Sequence, residues 1–126
     1  MGGQMMAKIL IADDALFMRV TLGDILRSEG HEVCEAKNGS ELLKVYEQEM
    51  PDLVMLDITM PEMDGLEALK ALKKIHPKVK VIMCSAMGQK AMVMDAISNG
   101  AYDFIVKPFE KSKVLESVRR VLAMNF

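Results

Sequence analysis

No stretch of this sequence stays apolar for the ~18 residues that a bilayer-crossing helix needs. Its first residues lack the basic and apolar regions of a secretory signal. Gly2 follows Met1, but myristoylation wants Ser or Thr at the sixth position, where Met6 stands. We expect residues 1–7 to be a loose tail or a cloning remnant, with Met5 and Met6 as alternative starts, and a cytoplasmic protein without membrane insertion. Basic excess is also missing: 16 Lys and Arg face 18 Asp and Glu, a net charge of -2. A surface that tracks phosphates would normally show as basic surplus, so direct nucleic-acid binding is not expected.

Cysteine is scarce. Cys34 and Cys84 each fall in a strand-like run. On non-adjacent strands they stand on the order of 14 Å apart, too far for a disulfide. Both are expected as reduced core residues. The two histidines, His31 and His76, lie in turn-like stretches with no second ligand at metal spacing, and read as surface residues.

What is present is a single-domain length of 126 residues, with 51% hydrophobic and 27% charged residues. That is a globular balance able to bury a core without staples. Its centre is Leu53-Val54-Met55-Leu56-Asp57, bounded by Pro51-Asp52 and Pro61. A continuous apolar run between turn signals reads as a strand covered on both faces, which belongs to a parallel sheet.

The flanking chain alternates in the same sense. Strands are expected at 8–12, 32–36, 80–84 and 103–106. Helices are expected at 15–29, 41–49, 64–74, 88–99 and 110–124. Phe17, Met18, Val20, Leu22, Ile25 and Leu26 supply the helical spacing of the first; Gly30 closes it. Leu42, Leu43, Val45 and Tyr46 face inward from the second. The pattern is βα repeated through the whole chain. It specifies a doubly wound α/β sheet of parallel strands with helices on both faces.

In such a sheet all strand carboxyl ends share one edge, where ligands bind. Asp13-Asp14, Asp57, Ser85 and Lys107 follow the ends of four strands and so converge there. Singly, each has an ordinary reading: Asp14 or Ser85 as a helix cap, Asp57 as a turn cap, Lys107 as a solvated strand-end lysine. Together they conflict. At ~5 Å and an effective dielectric of ~20, each carboxylate pair costs about 3 kcal/mol. Lys107 offsets only part of this. A divalent ion on hard oxygen ligands offsets the rest, and Mg²⁺ suits that donor set. Asp57 is then a carboxylate nucleophile of the type that forms an aspartyl phosphate, with cationic neighbours to stabilise phosphoryl oxygens and a Ser85 hydroxyl within the same edge.

These residues, with Met60-Pro61-Glu62-Met63-Asp64-Gly65, Ser85-Ala86 and Lys107-Pro108-Phe109 in that order, resemble the receiver domains of bacterial two-component signalling, in particular CheY-type chemotaxis regulators. The likeness runs from about Lys8 to Ala123. The strand order 2-1-3-4-5 is taken from the resemblance, this family being a known example of it.

The resemblance implies specific roles. Asp57 accepts a phosphoryl group from a histidine kinase, CheA-like. Asp14, Asp57 and the backbone carbonyl of Thr59 ligate Mg²⁺, with Asp13 acting through water. Ser85 and Lys107 contact the phosphoryl group. The Lys107-Pro108 bond is cis. Phe104, three residues before the lysine, stands where the family's switch aromatic sits, without the hydroxyl that a tyrosine would bring. Thr59 and Met87 flank the path of the hydrolytic water and neither orients it well. Slow to moderate autodephosphorylation, supplemented by a phosphatase, is expected.

Apolar residues almost encircle the fourth helix: Ala91, Met92, Val93, Met94, Ala96 and Ile97. One face packs on the sheet, and the surplus suits an adaptable partner surface formed with the fifth strand and last helix. The expected protein is a monomeric phosphorylation-activated switch, a phosphoacceptor rather than an enzyme, that controls a target such as a flagellar motor protein. The chain stops at Asn125-Phe126 just after its last helix, which favours a free-standing regulator over a receiver cut from a DNA-binding one. A haloacid-dehalogenase-like phosphatase would place its nucleophile on an early strand with a second Asp two positions on; here Thr59 stands there. A flavodoxin-like carrier would not set two aspartates where a flavin phosphate binds.

Overall fold

The structure, a computed structural model, describes residues 6–60 and 63–124. Met1–Met5, Asn125 and Phe126, and with them part of the expected tail and the chain's last residues, lie outside the described residues, as do Pro61 and Glu62 of the loop motif. The elements run β1 (Lys8–Ala12), α1 (Leu16–Arg27), β2 (Glu32–Ala36), α2 (Gly39–Glu49), β3 (Leu53–Asp57), α3 (Gly65–Ile75), β4 (Val81–Ser85), α4 (Lys90–Ser98), β5 (Asp103–Val106) and α5 (Lys111–Leu122). All pairings are parallel, in the order β2-β1-β3-β4-β5.

The sheet separates two cores by strand alternation. Leu10, Val54, Leu56, Val81 and Met83 meet Leu42, Tyr46, Leu69, Leu72 and Ala96 of α2, α3 and α4. Ile9, Ile11, Leu53, Met55, Ile82 and Ile105 meet Leu22, Leu26, Val114, Val118 and Val121 of α1 and α5. Both faces of β3 are therefore covered, and all five of its residues are buried, Asp57 included. The apolar run of the sequence is a consequence of that double cover.

Local chemistry sets the helix starts. Asn38 caps α2 by accepting from the Glu41 N–H at 2.8 Å. Glu41 Oε1 accepts in return from the Lys37 N–H at 3.0 Å, a reciprocal cap that begins the helix two residues before the expected Glu41. Asp64 caps α3 through the Glu67 N–H at 2.9 Å. The fourth helix begins at Lys90, later than expected: its N-cap Gln89 is extended, and Gly88 before it lies against Val106 of β5.

Of the apolar residues that mark α1, Leu22 and Leu26 take the inward stripe, while Phe17 is 75% and Val20 48% exposed. The histidine and cysteine expectations need correction. His31 is not a surface residue. It is buried, and its Nδ1 accepts from the Ala7 N–H at 3.1 Å. Burial lowers its pKa below 6.5. His76 is half-buried, 2.9 Å from Glu47 Oε1 and packed on the Tyr46 ring. Cys84 is a core thiol, whereas Cys34 is only half-buried at the β2 edge; both are free. Burial pushes the Cys34 thiol up to about 11.

Candidate functional site

β1 and β3 are neighbours, so the residues at their carboxyl ends are brought together. Asp13 lies just past β1 and Asp57 closes β3, 4% and 6% exposed respectively. Asp14 next to them is exposed. One carboxylate oxygen from each of Asp13, Asp14 and Asp57 lies within 4.8 Å of the other two. Lys107, one residue beyond β5, reaches across the edge with its Nζ 2.7 Å from Asp13 Oδ2 and 3.4 Å from Asp57 Oδ1. The Lys107-Pro108 bond is cis, as the resemblance implies.

Asp13 is anchored at every polar group. Its N–H donates to the Ala36 carbonyl at 3.0 Å, extending the β1–β2 ladder by one bond. Oδ1 accepts from the Ala15 N–H at 2.9 Å and Oδ2 from Lys107. Its carbonyl accepts from Arg19 Nη1 at 2.8 Å. Asp57 is held by the sheet: Ile58 N–H donates to the Cys84 carbonyl at 3.1 Å, and Gly65 N–H to the Ile58 carbonyl at 2.6 Å. A Cβ on Gly65 would collide with the Asp57 carbonyl oxygen and lie 2.6 Å from Ile58 Cα. Glycine is what lets α3 start against the end of β3.

The electrostatics are those of a crowded acid pocket with a lysine at its edge. Burial, and then the Asp13 charge, push the Asp57 carboxyl above its ordinary 3.8; the Lys107 charge and the Thr59 N–H pull it back without prevailing. Burial alone would lower the Lys107 ammonium, but the Asp13 hydrogen bond and the Asp57 charge hold it above 10.5. Lys107 reaches two of the three clustered carboxylates, Asp13 and Asp57. The donors are all hard oxygens, and Asp14 opens to solvent, leaving room for ligand waters. The residues fit a small divalent cation of the Mg²⁺ kind.

Residues 9–119 match the family model described as the response regulator receiver domain. The chain belongs to the response regulator receiver family. It is 55% identical over 116 residues to the chemotaxis protein CheY of Bacillus subtilis, covering 91% of this chain and 97% of that protein. Among solved structures it is similar to a CheX-CheY-BeF3-Mg²⁺ complex from Borrelia burgdorferi, with a TM-score of 0.89 and 38% identity over 93% of this chain and 90% of that one. NtrX from Brucella abortus has the same TM-score of 0.89 and 38% identity, covering 94% of this chain. This chain spans only 28% of NtrX. It is a CheY-like receiver domain of the phosphorylation-activated response regulators. No helix among its described residues is long and apolar enough to cross a membrane.

Of the residues that the receiver resemblance assigns, Asp13, Asp14, Asp57 and Lys107 form one cluster. Ser85 ends β4, buried, with its Oγ accepting from the Met87 N–H at 3.1 Å and its carbonyl from the Lys107 N–H at 2.8 Å. Thr59 is exposed and turns its N–H toward Asp57. Phe104 is half-buried and packs with the core on the α4 side of the sheet. Sequence reasoning missed Arg19 and its partner Glu35, which brace the acidic loop from behind. An arginine one helical turn after a strand-end acid was the available signal.

Proposed function

We propose that Asp57 is the phosphoacceptor of a switch that takes its phosphoryl group from a histidine kinase and controls a chemotaxis target. The observation that carries this reading is the Asp57 carboxylate, buried at a strand end yet flanked by two acids and one lysine. Asp14, Asp57 and the Thr59 carbonyl would hold Mg²⁺, with Asp13 acting through water because Ala15 and Lys107 already occupy its oxygens. The ion, when bound, neutralises charge on the phosphoryl oxygens. Lys107 supplies a fixed cation on the other side, and its tether to Asp13 keeps it from closing fully on Asp57.

Transfer adds about -1.5 to -2 charge units at neutral pH. Ser85 then moves toward the new oxygens and takes the Met87 N–H with it, since its Oγ holds that group. Gly88 follows, and it already touches Val106 on β5. Phe104 on the same strand is the second moving part. The face formed by α4, β5 and α5 carries the signal: Ala96 is the one buried residue of α4, while Met94 and Ile97 are exposed.

The similarity to the Bacillus subtilis CheY over nearly all of that protein supports a chemotaxis role with a kinase donor and a motor-type target. The Borrelia burgdorferi relative was captured with a second protein, CheX, which supports a partner acting on the phosphorylated pocket. With Thr59 and Met87 near the hydrolytic path, the phosphoryl lifetime of the isolated domain is longer than a second; a shorter decay contradicts that. The test of the reading is intact-mass analysis after treatment with a small phosphodonor and Mg²⁺. One phosphoryl adduct on the wild type and none on Asp57→Asn supports it, and equal adducts on both overturn it.

A further inference from the structure

We propose that Arg19 is a positioning residue for the cation site, acting through the backbone of Asp13 and braced by Glu35. The inference rests on the reading of the acidic cluster as a cation site, and it extends the site to two residues that touch neither ion nor phosphoryl group.

The Asp13 carbonyl falls outside the sheet's hydrogen-bond ladder. β2 ends at Ala36, and the last ladder bond runs from the Asp13 N–H to the Ala36 carbonyl. The Asp13 carbonyl therefore lies beyond the ladder, while the carboxylate on the same residue is almost fully buried. A buried carbonyl needs a partner. Arg19 supplies it from the first turn of α1, with Nη1 2.8 Å from that oxygen. The same guanidinium places Nε 2.9 Å from Glu35 Oε1, and the arginine side chain is only 13% exposed. One planar fork thus ties α1, the β1–α1 loop and β2 together.

Position follows from that tie. The peptide that joins Asp13 to Asp14 includes the carbonyl that Arg19 holds. Rotation of that peptide would swing the Asp14 carboxylate relative to Asp57. Arg19 also sets a cation behind a loop whose front presents acids. A lysine at this position has a point charge and no fork, so it can hold the carbonyl or Glu35 but not both in the same geometry. Groups that orient ligands from behind commonly change metal affinity by about tenfold or more when removed.

The test is calorimetric Mg²⁺ titration of wild type, Arg19→Met, Arg19→Lys and Glu35→Gln, with amide hydrogen exchange at Asp14 and Ala15 as a second readout. Arg27→Met is the control, since Arg27 reaches Glu35 at 4.0 Å without touching the loop. The expected result is Mg²⁺ affinity about tenfold weaker in Arg19→Met, a smaller loss in Arg19→Lys and Glu35→Gln, faster exchange in the loop, and wild-type affinity in Arg27→Met. Should Arg19→Met not fold, Arg19→Lys and Glu35→Gln carry the test. Wild-type affinity in every folded Arg19 and Glu35 variant overturns the assignment while leaving the cation site standing. An equal loss in Arg27→Met also overturns it, because the effect would then be general charge. Absence of Mg²⁺ binding by the wild type removes both this inference and the cation-site reading.

Discussion

The Lys107 ammonium is hydrogen-bonded to Asp13 Oδ2 at 2.7 Å, although the two residues are 94 positions apart in the chain. Nearly buried on both sides, this pair closes the acid pocket from β5 to β1. Removing the ammonium leaves two buried carboxylates facing each other, and breaking a buried pair costs about 3–5 kcal/mol. Lys107→Met should therefore lower urea-measured stability by about 3 kcal/mol in chelator, with part of the loss recovered in Mg²⁺. Phosphodonor labelling should slow by about a hundredfold. Unchanged stability and rate would mean that the pair bears no load.

Asp57 makes the opposite prediction. Its carboxyl is raised above 3.8 by burial and by Asp13. Between the ordinary value and the raised one, the native state holds more protons than the unfolded chain. Stability therefore falls as pH rises through that window and stays flat above it. Asp57→Asn removes this penalty. Without divalent ions the variant should melt a few degrees above the wild type at neutral pH. The gap should close as pH drops below 3.8, where the acid is protonated in both states. An equal or lower melting temperature at neutral pH would contradict the raised pKa.

Two glycines separate a steric requirement from a tolerated vacancy. A Cβ at Gly65 strikes backbone at Asp57 and Ile58, whereas the nearest atoms to one at Gly23 are those of the Arg27 guanidinium, 2.9 Å away at the end of a flexible side chain. Gly65→Ala should cost about 2–4 kcal/mol and reduce labelling at Asp57. Gly23→Ala, inside a helix, should be neutral or stabilising by up to about 1 kcal/mol. Urea unfolding of the two variants side by side checks the contrast.

The exposed face of α4 should affect output and not chemistry. Met94 is 60% and Ile97 45% exposed. Met94→Glu with Ile97→Glu should leave phosphodonor labelling within about twofold of wild type, as surface changes usually perturb stability little. Binding of the phosphorylated domain to its target, read by pull-down or calorimetry, should be lost. Retained binding would move the output face elsewhere.

Strand positions were legible because β3, buried on both faces, has no reason to be anything but apolar until Asp57. The convergence of Asp13, Asp14, Asp57 and Lys107 was legible for a related reason: parallel strands put their carboxyl ends on one edge. What hid was anything that depends on how elements lean on one another. Phe17 fits the helical pattern of α1 yet points to solvent, because a 12-residue helix against a sheet buries only one stripe. His31 looks like a turn histidine until Ala7 is seen donating to it. Arg19 reads as surface charge until the Asp13 carbonyl is found beyond the end of the ladder.

The proposed role of Asp57 is to carry the phosphoryl group in a cation-dependent pocket. Peptide mass spectrometry after phosphodonor treatment and borohydride trapping of the acyl phosphate reads that role out. A reduced residue is expected at Asp57 alone, present with Mg²⁺ and absent in chelator. Label at Asp13 or Asp14, or label at Asp57 that is indifferent to chelator, would contradict it.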